Sequence, residues 1–125
     1  MPDTIIPADV RDLLLNKIDS VAELEALLLL RKSADEDWTA LGLARRLYVA
    51  ESAAVELLAR LAVSGFCVSA GGLTRYRPSD EELRRTVDRL AEAYARSLIA
   101  VTNLIHAKPS RIRQFADAFR FRREK

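Results

Sequence analysis

The sequence predicts a mainly α-helical domain that carries one small β-hairpin. Two short apolar repeats with helical spacing lie close together, one over residues 40–47 and the other over residues 54–61. Two strand-like runs follow, joined by a turn in which Gly71 and Gly72 can adopt positive φ. Because the 125 residues include only four glycines and four prolines, little of the chain is left for loops.

Composition limits the classes to which this chain can belong. A chain of 125 residues suits one domain and buries about two thirds of the surface that its unfolded form exposes. Its one cysteine, Cys67, cannot form an internal disulfide, and no export signal is evident, so we expect a cytoplasmic protein. The longest apolar run, residues 24–30, contains Glu25 and is far shorter than the roughly 20 apolar residues of a membrane-spanning helix. This run therefore predicts a buried helix.

Two helices are predicted before the apolar repeats. The first begins at Pro7 and runs to about Ile18, so residues 1–19 form an N-terminal helical arm. Ser20 and Glu23 form an S-x-x-E capping box, which places the start of the second helix next to them. The expected core side chains of the two helices are Val10, Leu13, Leu14, Ile18, Leu24, Leu27 and Leu28.

Residues 39–78 are predicted to form, in order, a helix, a turn, a helix, a strand, a turn and a strand. Thr39 is the expected N-cap of the first helix of this pair. Gly65 ends the second helix, as a glycine at the C′ position does. The strand-like runs are residues 66–69 and 73–77.

A family resemblance rests on residues 39–68, which read TALGLARRLYVAESAAVELLARLAVSGFCV. This run resembles the helix-turn-helix of bacterial winged-helix transcriptional regulators, the multiple-antibiotic-resistance (MarR) type among them. The resemblance implies a winged helix-turn-helix over residues 20–78, with the β-hairpin as its wing and Trp38 buried where such folds place a short third strand. Because unrelated functions share such a fold, the resemblance predicts a fold more than a task. Its anchors are Leu43, Ala44, Leu47, Ala54, Leu57, Leu61 and Gly65.

A long helix is predicted from a second capping box, Ser79 to Glu82, to the residue before Pro109. It would extend roughly 42 Å, more than the roughly 30 Å width of a small domain. Its apolar residues recur in steps of three and four, which is the pattern of a coiled-coil seam. We expect a homodimer joined by this seam, as in dimeric winged-helix regulators; the alternative is a helix folded back on its own chain. The predicted dimerisation residues are Leu83, Val87, Leu90, Tyr94, Leu98, Val101 and Ile105.

Residues 79–125 also include a basic and aromatic end. Ser110 can cap a last short helix in which Ile112, Phe115 and Phe119 share one face. Residues 108–125 contain seven basic and two acidic side chains, a net charge of +5, whereas residues 1–107 contain thirteen and sixteen, a net charge of −3. Such a tail suits an acidic protein surface, nucleic acid or an anionic membrane; alternatively, its phenylalanines pack on the dimer and its arginines face solvent.

One function that fits the resemblance is DNA binding. A homodimer would lay two winged helices on neighbouring half-sites of duplex DNA, held chiefly by phosphate contacts from arginines of the wing and its flanks. The second helix of the pair offers little for base reading, since Arg60 is the only cation among its groove-facing positions. The predicted DNA-binding residues are Arg45, Arg46, Ser52, Arg60, Arg75 and Arg77.

The alternative function is a regulatory adaptor that does not read DNA. Residues 1–66 contain seven basic and eleven acidic side chains, a net charge of −4, which opposes phosphate binding. In the adaptor, small apolar residues of the second helix, bordered by Glu51 and Glu56, contact a helix or loop of an unidentified protein. The predicted partner-binding residues are Ala53, Val55, Glu56, Ala59, Phe115 and Phe119.

Catalysis is not expected from this sequence. It contains one histidine, His106, and one cysteine, Cys67, and no carboxylates at metal-ligand spacing. Gly71 and Gly72 are not followed by Lys-Ser/Thr and open no helix, so they indicate a hairpin turn and not a phosphate-binding loop. We therefore expect no catalytic residue, no metal and no cofactor, and we expect Cys67 to act as a small apolar residue.

Overall fold

Six helices and one β-hairpin form the part of the chain that the computed structural model describes, residues 6–107. The two strands, β1 (Cys67–Ala70) and β2 (Leu73–Tyr76), pair in the antiparallel sense. The prediction of a mainly α-helical fold with a small hairpin is confirmed, whereas the predicted helix after Pro109 lies outside the described residues. The helices are α1 (Ala8–Lys17), α2 (Val21–Lys32), α3 (Ala40–Leu47), α4 (Glu51–Val63), α5 (Glu81–Arg96) and α6 (Leu98–Ala107).

Side-chain caps define the starts of three helices. The hydroxyl of Ser20 accepts a hydrogen bond from the backbone N–H of Glu23 at 3.1 Å, which confirms the predicted start of α2. The hydroxyl of Thr39 accepts from Gly42 N–H at 3.0 Å at the start of α3. The cap of α5 is Asp80, which accepts from a backbone N–H at 2.7 Å, and not Ser79 as the sequence predicted. Either residue type can cap a helix, and the carboxylate is the one that reaches the first-turn N–H groups.

The hairpin closes with a two-residue turn. Ala70 pairs with Leu73, and Gly71 and Gly72 have φ of 61° and 80°, the sign at both positions that a type I′ turn requires. Trp38 is buried and exchanges two backbone hydrogen bonds with Thr74, at 2.8 and 2.9 Å. The chain before α3 therefore pairs with β2, at the position where the sequence placed a short third strand.

Two groups of helices share one apolar core. The first group surrounds α2, which packs against α3, α4 and β2. The second consists of α1, α5 and α6, each of which contacts the other two. Lys17 at the end of α1 joins the groups, because its amine donates to the carbonyl of Ser64 just after α4, at 2.9 Å. The core side chains predicted for α1 and α2 are buried, apart from Leu28, which is partly buried.

The single long helix predicted after the hairpin is wrong. The chain leaves helical geometry at Ser97, where φ is −137° and ψ is 58°, and α6 starts at the next residue. Ser97 accepts from the backbone N–H of Val101 through its carbonyl at 3.0 Å, as the residue preceding a helix does. Serine is among the residues preferred at this position. Helix α5 therefore has 16 residues and extends only about 24 Å.

The predicted dimerisation seam is mostly covered by other helices of the same chain. The break at Ser97 lets α6 pack on α1, and α5 packs along α1 as well. Leu83 and Tyr94 are partly buried, and of the seven predicted residues only Leu98 is exposed, at 53%. The alternative of a helix that folds back on its own chain is the one observed. The fully covered seam residues are Val87, Leu90, Val101 and Ile105.

Truncating the covered seam will destabilise the monomer. Leu90→Ala removes a buried side chain, and we expect the free energy of unfolding to fall by about 2–5 kcal/mol. The matched variant is Leu98→Ala, at an exposed position of the same predicted seam, where we expect a change within about 0.5 kcal/mol. Urea denaturation at several protein concentrations measures both. Equal losses of unfolding free energy for the two variants, or urea midpoints that rise with protein concentration, would indicate that the seam is buried between two copies.

Candidate functional site

One side of α4 is exposed although the helix packs into the core along its other side. Its buried residues are Ala54, Leu57, Leu58 and Leu61, which face α2, α3 and β1. The opposite side, which we call the α4 face, consists of Ser52, Val55, Glu56, Ala59 and Val63.

Apolar side chains run the full length of the α4 face. Val55, Ala59 and Val63 are spaced by four residues and therefore lie along one side of the helix. Val55 is 52% exposed and Val63 is 88% exposed. Single exposed valines are common on protein surfaces, but a row of them on one helix is a typical contact surface for another apolar element.

An exposed tyrosine precedes the α4 face. Tyr48 ends α3 in the left-handed conformation, with φ of 59° and ψ of 45°, and its side chain is 94% exposed. A bulky residue rarely adopts positive φ, and the usual cost is on the order of 1 kcal/mol or more. The backbone turn between α3 and α4 thus directs an aromatic ring into solvent. Exposed aromatic side chains are enriched in protein interfaces.

Two arginines that were predicted to bind DNA form ion pairs within the chain. The guanidinium of Arg60 donates to the carboxylate of Asp19 at 2.8 Å, and that of Arg75 donates to Asp37 at 2.9 Å. Since these four side chains are all partly exposed, each pair is worth at most about 1 kcal/mol. The pairing nevertheless supplies each guanidinium with a carboxylate partner. A phosphate would have to compete with that partner.

The remaining predicted DNA-binding residues lie on α3, on the α4 face and after β2. The guanidinium of Arg46 lies 5.6 Å from the centre of the Trp38 ring, within range of a cation–π contact. Arg45 on α3 and Arg77 after β2 are exposed, and neither forms an ion pair within residues 6–107. Ser52 is exposed on the α4 face. Among the described residues, two arginines of the predicted set therefore have neither an ion pair nor a cation–π contact.

Three of the residues predicted for the adaptor lie together on the α4 face. Val55, Glu56 and Ala59 are exposed, while Ala53 is only partly exposed and offers less surface. Phe115 and Phe119 lie outside the described residues. Val63 was not predicted as a site residue, although its four-residue spacing from Ala59 is visible in the sequence. Tyr48 was not predicted either, because no sequence pattern indicates a tyrosine with positive φ.

Neither of the other reactive residue types forms a recognisable site. Cys67 is buried at the start of β1, and burial raises the pKa of its thiol to about 12. His106 is exposed near the end of α6. Between residues 6 and 107, no group of three or more histidine, cysteine, aspartate or glutamate side chains is placed to hold a metal ion. No helix in that range has both the length and the hydropathy needed to cross a membrane.

Comparison of the chain with protein-family models, curated proteins and solved structures finds no match. The α4 face and Tyr48 are therefore the features of the molecule from which a function can be inferred.

The buried thiol gives a direct chemical test. Because a pKa of about 12 keeps Cys67 protonated at pH 8, we expect native protein to react with a disulfide reagent at least about tenfold more slowly than the same protein in urea. A Ser52→Cys variant supplies the control, since its second thiol lies on the exposed α4 face and should react in the native state. Fast reaction of native Cys67 at pH 8 would contradict its placement in the core.

Proposed function

We propose that this chain is a non-catalytic regulatory protein built on a winged helix-turn-helix, and that its α4 face binds another protein. In this proposal α3 and α4 are the helix-turn-helix, and the hairpin of β1 and β2 is the wing. The bridge between Trp38 and Thr74 supports the assignment, because it gives the hairpin the short third strand of such folds. The single observation that carries the function is the exposed apolar row of Val55, Ala59 and Val63.

Charge favours a protein partner over duplex DNA. The α4 face carries the carboxylate of Glu56, and Glu51 is exposed in the first turn of α4. The nearest cation on this helix, Arg60, is paired with Asp19. A duplex would bring a dense row of phosphates against these carboxylates, whereas much of the affinity for DNA comes from cations that neutralise phosphates. An apolar row with acidic neighbours instead suits an apolar protein segment that carries basic residues.

DNA binding is retained as a second candidate because of Arg45 and Arg77. Both are exposed and without an ion pair among the described residues, and they lie on α3 and after β2. In a winged helix these positions flank the second helix and can contact phosphates, which position a protein without reading sequence. Two such contacts support only weak and strongly salt-dependent binding.

Site-specific photocrosslinking in cells separates the two candidates. A photoreactive amino acid at Val55 should yield a discrete adduct that is sensitive to protease and resistant to nuclease, because the proposal places a protein against this position. The matched control carries the same amino acid at Glu92, an exposed position of α5, and should yield no such adduct. A second experiment places the photoreactive amino acid at Ser52. Adding Val55→Ser and Val63→Ser to that protein should reduce the yield of the adduct, because the substitutions remove apolar contact surface.

A nuclease-sensitive adduct at Val55 would overturn the protein-binding proposal and favour DNA. The purified chain provides an independent measurement by mobility shift with random-sequence duplex at low and moderate salt. We expect no retardation. Salt-sensitive retardation that is lost in Arg45→Gln with Arg77→Gln would establish the second candidate.

A further inference from the structure

A groove of about 380 Å³ lies between α1 and the start of α5. Its volume falls within the range of roughly 300–1,000 Å³ that is typical of ligand-binding clefts. We call it the α1–α5 groove. The residues that matter for its chemistry are Asp9, Asp12, Leu13, Asp80, Glu82 and Leu83.

The groove combines an acidic rim with an apolar floor. Leu13 is buried and Leu83 is partly buried, so aliphatic surface lies at its base. Four carboxylates line it, against the single cation Lys17. The amine of Lys17 already donates to the carbonyl of Ser64. The groove therefore has a marked excess of negative charge.

The four carboxylates differ in whether they already form an ion pair or a hydrogen bond within the chain. Asp9 is paired with Arg89 on α5, and this hydrogen-bonded pair lowers the pKa of the Asp9 carboxyl. One carboxylate oxygen of Asp80 accepts the capping hydrogen bond of α5. Asp12 and Glu82 are exposed and have no ion-pair partner within residues 6–107. These two carboxylates are the ones available to a cationic ligand.

We propose that the occupant of the α1–α5 groove is the chain's own C-terminal segment, residues 108–125. This segment carries seven basic and two acidic side chains, a net charge of +5, which complements the acidic rim. It also carries aromatic residues at positions 115, 119 and 121, which suit the aliphatic floor. No stretch of this length within residues 1–107 has such a charge.

The connection to α6 makes the contact feasible within one molecule. The segment has 18 residues and begins directly after α6 ends at Ala107. Fully extended it spans about 60 Å, which exceeds the width of a domain of about 100 residues, whose radius of gyration is about 13 Å. Tethering also gives the segment an effective concentration on the order of millimolar, which a second copy at micromolar concentration does not match.

Disulfide trapping in the full-length chain tests the proposal. One variant carries Ser79→Cys in the groove and Ala116→Cys in the segment, and its control carries Ser52→Cys on the α4 face with the same Ala116→Cys. Both host positions, Ser79 and Ser52, are exposed, and the native Cys67 is buried. We expect the groove pair to form an intramolecular disulfide at least about tenfold faster than the control pair, because docking raises the local concentration of the two thiols.

A charge reversal identifies the contribution of the acidic rim. Asp12→Lys with Glu82→Lys, added to the groove pair, should slow its trapping roughly fivefold by replacing attraction with repulsion. Asp35→Lys with Glu36→Lys is the matched control, because it makes the same charge change at exposed residues between α2 and α3 and should leave the rate unchanged. Circular dichroism verifies that each variant is folded.

Several outcomes would overturn the inference. They are equal trapping rates for the groove and α4-face pairs, a disulfide that joins two copies, or a trapping rate that changes equally, or not at all, on reversing the groove charges and the control charges. Faster trapping at Ser52 would place the segment on the α4 face and also change the interpretation of the photocrosslinks. Equal trapping rates would leave the proposed function intact, because its test detects an external partner at Val55.

Discussion

The burial of the α5 and α6 apolar stripe within one chain is the interaction on which the rest of the structure depends. Val87, Leu90, Val101 and Ile105 are all covered by the monomer. Covering one such side chain contributes about 1.5–3 kcal/mol, so the four together contribute roughly 6–12 kcal/mol. A domain of this size has a total stability of about 5–15 kcal/mol. The chain could not leave this stripe in water and remain folded as a monomer, and the break at Ser97 is what allows α6 to return to the core.

The packing of α4 decides which apolar side chains of the α3–α4 pair are left for partners. The most exposed of them are Tyr48, Val55 and Val63. The packing of α4 on α2 and α3 accounts for its buried side and leaves the α4 face without a neighbour in the described part of the chain. Its exposure is therefore a consequence of the core geometry. A rigid helix held from behind by the core is also a better platform for a partner than a loop would be.

The sequence predicts local structure well where a local physical signal exists. The cap at Ser20, the glycine at position 65 and the Gly71-Gly72 turn are each decided by a few neighbouring residues, and all three agree with the structure. The spacing of apolar residues also identified the buried side of α4. The break at Ser97 was missed because neither proline nor glycine marks it, and the packing of α6 on α1 that it permits joins residues far apart in the sequence.

The candidate site was harder to predict because its arginines form ion pairs with carboxylates that are distant in the sequence. Arg60 is counted as a free cation in the sequence, yet its partner Asp19 is 41 residues away. Similarly, Arg75 is paired with Asp37 across 38 residues. Such pairs depend on the fold, so a count of arginines overestimated the cations available for phosphate. The unusual φ of Tyr48 and the groove between α1 and α5 likewise arise only when the helices are assembled.

The division of charge along the chain acquires a physical meaning once the fold is known. If residues 108–125 bind the α1–α5 groove, their net charge of +5 is placed against the carboxylates of Asp12 and Glu82, and each cancels part of the repulsion within the other. The attraction then acts over distances shorter than the Debye length of about 8 Å, so physiological salt screens it only in part. An acidic body and a basic end connected by one chain therefore have an electrostatic reason to associate, and the α4 face remains available to a separate partner.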